Sequence, residues 1–183
     1  MESLQGYFLL ATPHMPDPRF AETVVYLCAH NAEGAMGLIV NQPLSELGLA
    51  DLFREAGVTV PSRSLPPLYL GGPVEEDHAF FLYSADYHLD PSLVVAPSLC
   101  LTRDPQILHD LAAGRGPRHF LPALGYAGWG PGQLEAELAV DGWLTLPGCE
   151  QIIFHTPDEH KWRRAAQAHG IDITLFGDVV GSA

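Results

Sequence analysis

The sequence predicts a mixed-sheet domain of the α/β or α+β kind, and three observations carry that expectation. Short runs rich in β-branched and aromatic residues recur along the chain, separated by glycine, proline and asparagine turns. The early runs follow one another as hairpins, whereas later ones alternate with helical patterns. The apolar share is 47% over 183 residues, enough to bury a core within a single domain spanning 1–183 and too much for a disordered chain.

The elements follow in order. PDPRFAE (16–22) reads as a turn with one helical turn, and TVVYLCAH (23–30) as a buried strand. Asn31 to Gly34 is a turn signal, after which AMGLIVN (35–41) completes a β-hairpin. Leu47, Leu49, Leu52 and Phe53 approach helical spacing over 45–56, with Ser45 as cap and Gly57 as terminator. PSRSLPP (61–67) holds three prolines and reads as a flexible loop. LYLGGP is a short strand entering a glycine turn, and HAFFLYS, SLVV and LCLT are further strands. Asp104 caps a helix with Pro105 at its first position and Gly114 after its end. HFLPALG, GWLTLP and EQIIFHT all look extended. Thr156 and Glu159 have capping-box spacing for a helix over 157–169 that stops at Gly170.

Composition narrows the function classes. Twenty-two acids against nine bases give a net charge of −13, which disfavours direct contact with a phosphate backbone. The single lysine, Lys161, with Arg163 and Arg164, reads as a solvated helix face. The N-terminal run FLLA is too short for a signal peptide, no stretch approaches a membrane span, and a cytoplasmic location is expected. Cys28, Cys100 and Cys149 lie far apart without a CxxC, as reduced core residues would, with Cys149 beside a turn as the one place for a reactive thiol. His155 and His160 flank TPDE without HExxH spacing, and no GxSxG elbow occurs, so no metal, cofactor or catalytic set is expected. Glu75-Glu76-Asp77 reads as a solvated acidic turn.

The most distinctive stretch is GYAGWGPGQLEAEL, Gly125 to Leu138, with four glycines and a proline in its first eight residues. Strand, glycine loop and helix in that order can create an anion site at the helix start. The spacing is neither GxGxxG nor GxxxxGK[ST], and Glu135 and Glu137 already complement the helix dipole. The simpler reading is structural: Gly130-Pro131 starts the helix, while Trp129 and Tyr126 staple the loop. The functional reading places Trp129 and Gln133 at a cleft. Asn41-Gln42-Pro43 and Gly71-Gly72-Pro73 end two strands, where loops gather. Asn41, Pro43, Gly71, Gly72, Tyr126, Gly128, Trp129, Gln133 and Glu135 are therefore expected to line one shared cleft.

Taken together, these blocks resemble a known family. ATPHMPDPRFAETVVYLCAHNAEGAMGLIVNQP (11–43), LGGPV (70–74), LGYAGWGPGQLEAEL (124–138), WLTLPG (143–148) and IIF (152–154) are similar to the AlgH/YqgE family of bacterial proteins. The resemblance covers almost the whole chain. It implies a cytosolic protein with an α+β fold: a bifurcated sheet wrapped into a pseudo-barrel, with about four helices packed outside. The family carries a label of transcriptional regulator from bacterial genetics of exopolysaccharide production, and no reaction or cofactor is established for it. Its pattern also falls on Asp17, Pro18, Phe20, His30, Gly34, Gly37, Pro73, Gly125 and Gly132. Two positions depart from it. Tyr83 stands where many members have a histidine, and the chain ends Gly181-Ser182-Ala183 rather than Gly-His-Ala.

Two functional classes follow. One is a regulator that acts through a protein partner, with no direct contact to nucleic acid and with its oligomeric state open. The other is a small-ligand protein or hydrolase-like enzyme using the Gly125–Glu135 cleft, with Glu135 as an acid–base raised in pKa beside Trp129.

Overall fold

The computed structural model describes residues 2–176. Nine strands form one sheet in the order β6-β7-β5-β8-β3-β2-β1-β9, with β4 beside β8. The strands are β1 (Tyr7–Ala11), β2 (Val24–Asn31), β3 (Gly34–Ile39), β4 (Tyr69–Leu70), β5 (Val74–Ser84), β6 (Leu93–Ala96), β7 (Leu99–Thr102), β8 (Phe120–Trp129) and β9 (Trp143–Pro147). All pair antiparallel except β4 with β8. Five helices accompany them: α1 (Leu49–Glu55), α2 (Gln106–Ala112), α3 (Gln133–Ala139), α4 (Glu150–His155) and α5 (Asp158–Gln167). The fold is α+β, as the family resemblance implies.

Alternation along the strands builds three layers of core. Phe8 and Leu10 of β1 and Val24 and Tyr26 of β2 face a central cluster with Phe80, Leu82, Leu121, Ile153 and Trp162. The intervening Leu9, Val25 and Leu27 face a second cluster with Trp129, Leu134 and Trp143 under α3. Phe81 and Tyr83 of β5 face a third, beneath α1 and α2. β1 and β2 are thus buried on both faces, which is why their sequences are continuous apolar runs. FLLA, too short for a signal peptide, forms the last four residues of β1.

The sheet curls but does not close. Val95 of β6 and Leu146 of β9 share the central core, yet among the described residues no ladder joins these two end strands. The gap is spanned by a side chain: Gln5 Nε2 donates to the Val95 carbonyl at 3.1 Å. The pseudo-barrel implied by the resemblance is therefore an open, curled sheet.

The bifurcation lies in β8. Residues 123 and 124 pair with β4, whereas residues 127–129 pair with β3. Gly71 fills the fork, its N–H on Leu124 and its carbonyl accepting from Ile39, both at 2.8 Å. Gly125 has φ +72°, and a Cβ there would lie 2.4 Å from the Gly72 carbonyl oxygen. A Cβ on Gly72 would lie 2.1 Å from the Tyr126 carbonyl carbon. The glycines at 71–72 and 125 are thus the crossing of two backbones that admits no side chain.

Three local expectations are corrected. EQIIFHT is helical, not extended: Ile152 and Ile153 bury on successive positions against the central core, and that packing overrides the β-preference of adjacent isoleucines. α1 begins at Leu49, not after Ser45, because the Asp51 carboxylate accepts from the Gly48 amide at 2.8 Å. Thr156 does not cap α5. Its hydroxyl donates to the Gln151 carbonyl at 3.0 Å and closes α4 instead, and Pro157 opens α5. Among the described residues no helix is long and apolar enough to cross a membrane.

Candidate functional site

The glycine-rich motif is mostly strand. Gly125 to Trp129 complete β8, and only Gly130-Pro131-Gly132 leave it before α3. Gly125 serves the crossing described above, and the loop shrinks to residues 130–132, which corrects the extent of the loop in the strand–loop–helix reading. The helix start is filled from within, as the structural reading has it: Gln133 Oε1 accepts from the Gly130 amide at 3.0 Å.

Around Trp129 the polar groups converge on a residue outside the expected set. Glu137 Oε2 accepts from the indole N–H of Trp129 at 2.9 Å and of Trp143 at 2.7 Å. Gln133 Nε2 donates to its other oxygen at 3.3 Å. The two indoles meet edge to face, with centroids 6.0 Å apart. Beside them lies a cleft of about 290 Å³, walled by Met15, Phe20, Pro73, Val74, Trp129 and Val140. Across Val74 and the Gly128–Trp129 backbone a second, shallower depression of about 610 Å³ is lined by Met36, Phe80 and Tyr126.

The structure brings together only part of the expected cleft. Trp129 and Gly128 line both depressions, Gln133 the first and Tyr126 the second. Asn41 lines neither: its side chain accepts from the Val24 amide and donates to the Glu22 carbonyl, both at 3.0 Å, and so anchors the start of β2. Pro43 bridges to Tyr69, and Gly71 and Gly72 occupy the fork of the sheet.

Glu135 faces elsewhere. Its carboxylate accepts from His30 Nε2 at 2.8 Å, while His30 Nδ1 accepts from the Leu4 amide at 2.9 Å. The amide at Nδ1 places the imidazole proton on Nε2, so His30 donates to Glu135. The expectation of a raised Glu135 pKa is corrected: the His30 hydrogen bond and the Glu135 backbone amide hold the carboxyl below its ordinary range. A carboxylate whose folded pKa is depressed stabilises fully above its unfolded pKa, and that contribution is lost as pH falls through the folded value. Melting curves of Glu135→Gln are expected to fall less steeply than those of the parent between about pH 5 and pH 3. Parallel curves would remove Glu135 from the acid response.

Lys161 is not part of a solvated face. It is 1% exposed, and its ammonium donates to the Val40 carbonyl at 2.7 Å and lies 2.8 Å from the Asp158 carboxylate. Tyr69 donates to the same Asp158 oxygen at 2.8 Å. Burial pulls the Lys161 pKa down, against the pull of Asp158 upward. Arg163 and Arg164 are exposed, as expected.

The remaining candidates sort simply. Cys28 is buried, and burial pushes its thiol up to about 12, which makes it inert; Cys149 is exposed. Among the described residues no group of three or more His, Cys, Asp or Glu side chains could hold a metal ion. Tyr83 sits in the third core layer, its ring edge-on to Tyr87 and its hydroxyl donating to Ser92 at 2.7 Å. Gly181-Ser182-Ala183 lies outside the described residues.

Comparison with known proteins covers this whole arrangement. A family model described as AlgH-like matches residues 8–174. A UPF0301 protein of Desulfotalea psychrophila is 44% identical over 181 residues, covering 99% of this chain and 95% of the relative. A UPF0301 protein of Paracoccus denitrificans is 42% identical over 185 residues, covering 99% and 97%. The solution structure of the AlgH protein from Pseudomonas aeruginosa superposes with a TM-score of 0.78 at 39% identity, covering all of both chains. A crystal structure from Corynebacterium diphtheriae shares the fold, with a TM-score of 0.76 at 22% identity over 96% of this chain and 92% of that one. With its forked, open sheet and its paired tryptophans on one carboxylate, the chain belongs to the AlgH-like family.

Proposed function

We propose that this protein is a non-enzymatic regulator that engages a protein partner through the two apolar depressions flanking Val74. The observation that carries this reading is the division of labour around Trp129. Its polar neighbours Gln133 and Glu137 are spent on internal hydrogen bonds, while Val74 and Val140 stay exposed at 36% and 67%. Apolar side chains that line a surface depression and have no partner of their own suit association. A net charge of −13 favours a partner with a basic rim and repels nucleic acid. The alternative reading gave Glu135 the acid–base role. A depressed pKa and a bond to His30 do not suit a proton donor near neutral pH.

A photo-cross-linking residue at position 140 tests this, with one at exposed position 159 on α5 as control. A specific adduct from position 140 alone is expected. Titrating the captured protein against Val140→Asp should then show at least about tenfold weaker binding at unchanged melting temperature. Equal adducts from both positions, or tight binding of duplex DNA at physiological salt, would overturn the proposal.

A further inference from the structure

A third cavity lies away from these depressions and, unlike them, has basic but no acidic side chains in its lining. It encloses about 340 Å³ between the 61–67 loop, the start of β8 and α4. This volume lies at the lower end of the ligand-pocket range of about 300–1,000 Å³. Arg63 reaches its lining from the proline-rich loop, and Arg118 and His119 from the segment before β8. No aspartate or glutamate lines it, although acids outnumber bases 22 to 9 in the chain. The arginines are distributed unevenly as well. Arg19, Arg54, Arg103 and Arg115 pair with acids. Among the described residues Arg63, Arg118, Arg163 and Arg164 have no ion-pair partner, and of these four Arg63 and Arg118 line this one cavity. The nearby Asp158 carboxylate is already engaged by Lys161 and Tyr69.

Aromatic and aliphatic side chains, with Ser64, complete the lining. His119 stacks on Phe154 with centroids 5.8 Å apart and planes 26° from parallel. Phe120 and Tyr69 add two more rings. Guanidinium groups recognise phosphate and carboxylate through paired N–H donors, and aromatic walls accept a planar ring.

We infer that this cavity is a binding site for a small anion carrying a flat ring, a phosphorylated or carboxylated aromatic compound no larger than a nucleoside monophosphate. Arg63 and Arg118 hold the anionic group, and Phe154, Phe120 and Tyr69 hold the ring. The inference is independent of the partner-docking reading, because it concerns a different cavity.

The test is an amide NMR titration of the isotope-labelled protein. Adenosine monophosphate and 4-hydroxybenzoate are the two ring-bearing anions, and adenosine and inorganic phosphate are the half-ligands. At about 1 mM, at least one ring-bearing anion is expected to shift resonances at 63–69, 118–121 and 153–155. The responding probe tells a phosphorylated from a carboxylated source. Both half-ligands should bind at least about tenfold more weakly. Affinity should fall with added salt, and by at least about tenfold in Arg63→Gln/Arg118→Gln. Both arginines are exposed and among the described residues neither guanidinium makes an ion pair, while Asp86 is held by the Arg118 backbone amide at 2.9 Å, so the rest of the spectrum should stay unchanged. The single variant Arg118→Gln serves if the double variant does not fold. Silence from both ring-bearing anions, shifts that persist in the variants, or inorganic phosphate binding as tightly as either would overturn the inference.

Discussion

Lys161→Met is expected to lower the unfolding free energy by about 3 kcal/mol, the lower end of what removing one member of a buried ion pair costs. Methionine matches the lysine stem in length, so packing is kept and the loss is electrostatic. What remains is an Asp158 carboxylate with only the Tyr69 hydroxyl on it, and a Val40 carbonyl without its donor. Val40 follows the last residue of β3, and Lys161 supplies the hydrogen bond that the sheet does not provide there. The ammonium also lies 5.0 Å above the Tyr69 ring. Asp158 is 21% exposed, so water screens part of the penalty and keeps it from the upper end. The double variant Asp158→Asn/Lys161→Met should recover much of the loss, because the two charges are coupled. Urea unfolding of the four proteins measures this directly. Additive single and double effects would show that Lys161 acts through its stem alone. Slow labelling of its amine in the native state is an independent check, since no other lysine contributes to the signal.

That lysine shows where reading the sequence stopped short. It stands one residue before Trp162 and three after Asp158, in a helix whose flanking residues are charged, so its position resembles a solvated face. Only the fold brings Val40 and Tyr69 over it. The strands β2, β3, β5 and β7 were legible because their burial follows simple alternation or a continuous apolar run. α4 was not, because six residues are too few for a helical period to emerge and two isoleucines favour a strand in isolation. The glycines of GYAGW mark an unusual backbone, and their spacing suggests a loop. Gly125 instead records the Gly71-Gly72 segment of the same chain at a distance no Cβ permits, whereas Gly128 meets only side chains, from 3.2 Å outward. Sequence can mark such glycines as special without showing what approaches them. The cleft followed the same pattern. Tyr126, Gly128, Trp129 and Gln133 gather around Val74, whereas Asn41 and Pro43 mark strand ends that the fold uses for anchoring. The Arg63 and Arg118 cavity was invisible, since its two arginines lie 55 positions apart (118 − 63) in loops without periodicity.

Glu137→Ala is expected to cost about 3 kcal/mol, far more than Glu135→Ala on the same helix. An α-helix advances about 100° per residue, so Gln133 and Glu137 share a face and Glu135 points about 200° away from Gln133. That arithmetic selects Glu137 as the carboxylate beside Trp129 and leaves Glu135 to His30, as the hydrogen bonds show. Alanine at 137 leaves two indole N–H groups, on residues 7% and 4% exposed, without an acceptor. Each unsatisfied buried donor costs about 1–3 kcal/mol, and water entering from the adjoining cleft offsets part of the sum. Glu137→Gln separates charge from hydrogen bonding. Its carbonyl oxygen can still accept both indoles, but its NH₂ meets the Gln133 amide donor, a conflict worth about 1 kcal/mol. Urea unfolding followed by tryptophan emission reads both variants. A stable Glu137→Ala protein with red-shifted emission would mean that water replaces the carboxylate and that the cleft is wet. Partner binding at Val140 would then have to displace ordered water rather than close over a dry apolar floor. The ranking expected from the structure is therefore parent, Glu137→Gln, then Glu137→Ala, in stability and in affinity for whatever docks beside Trp129.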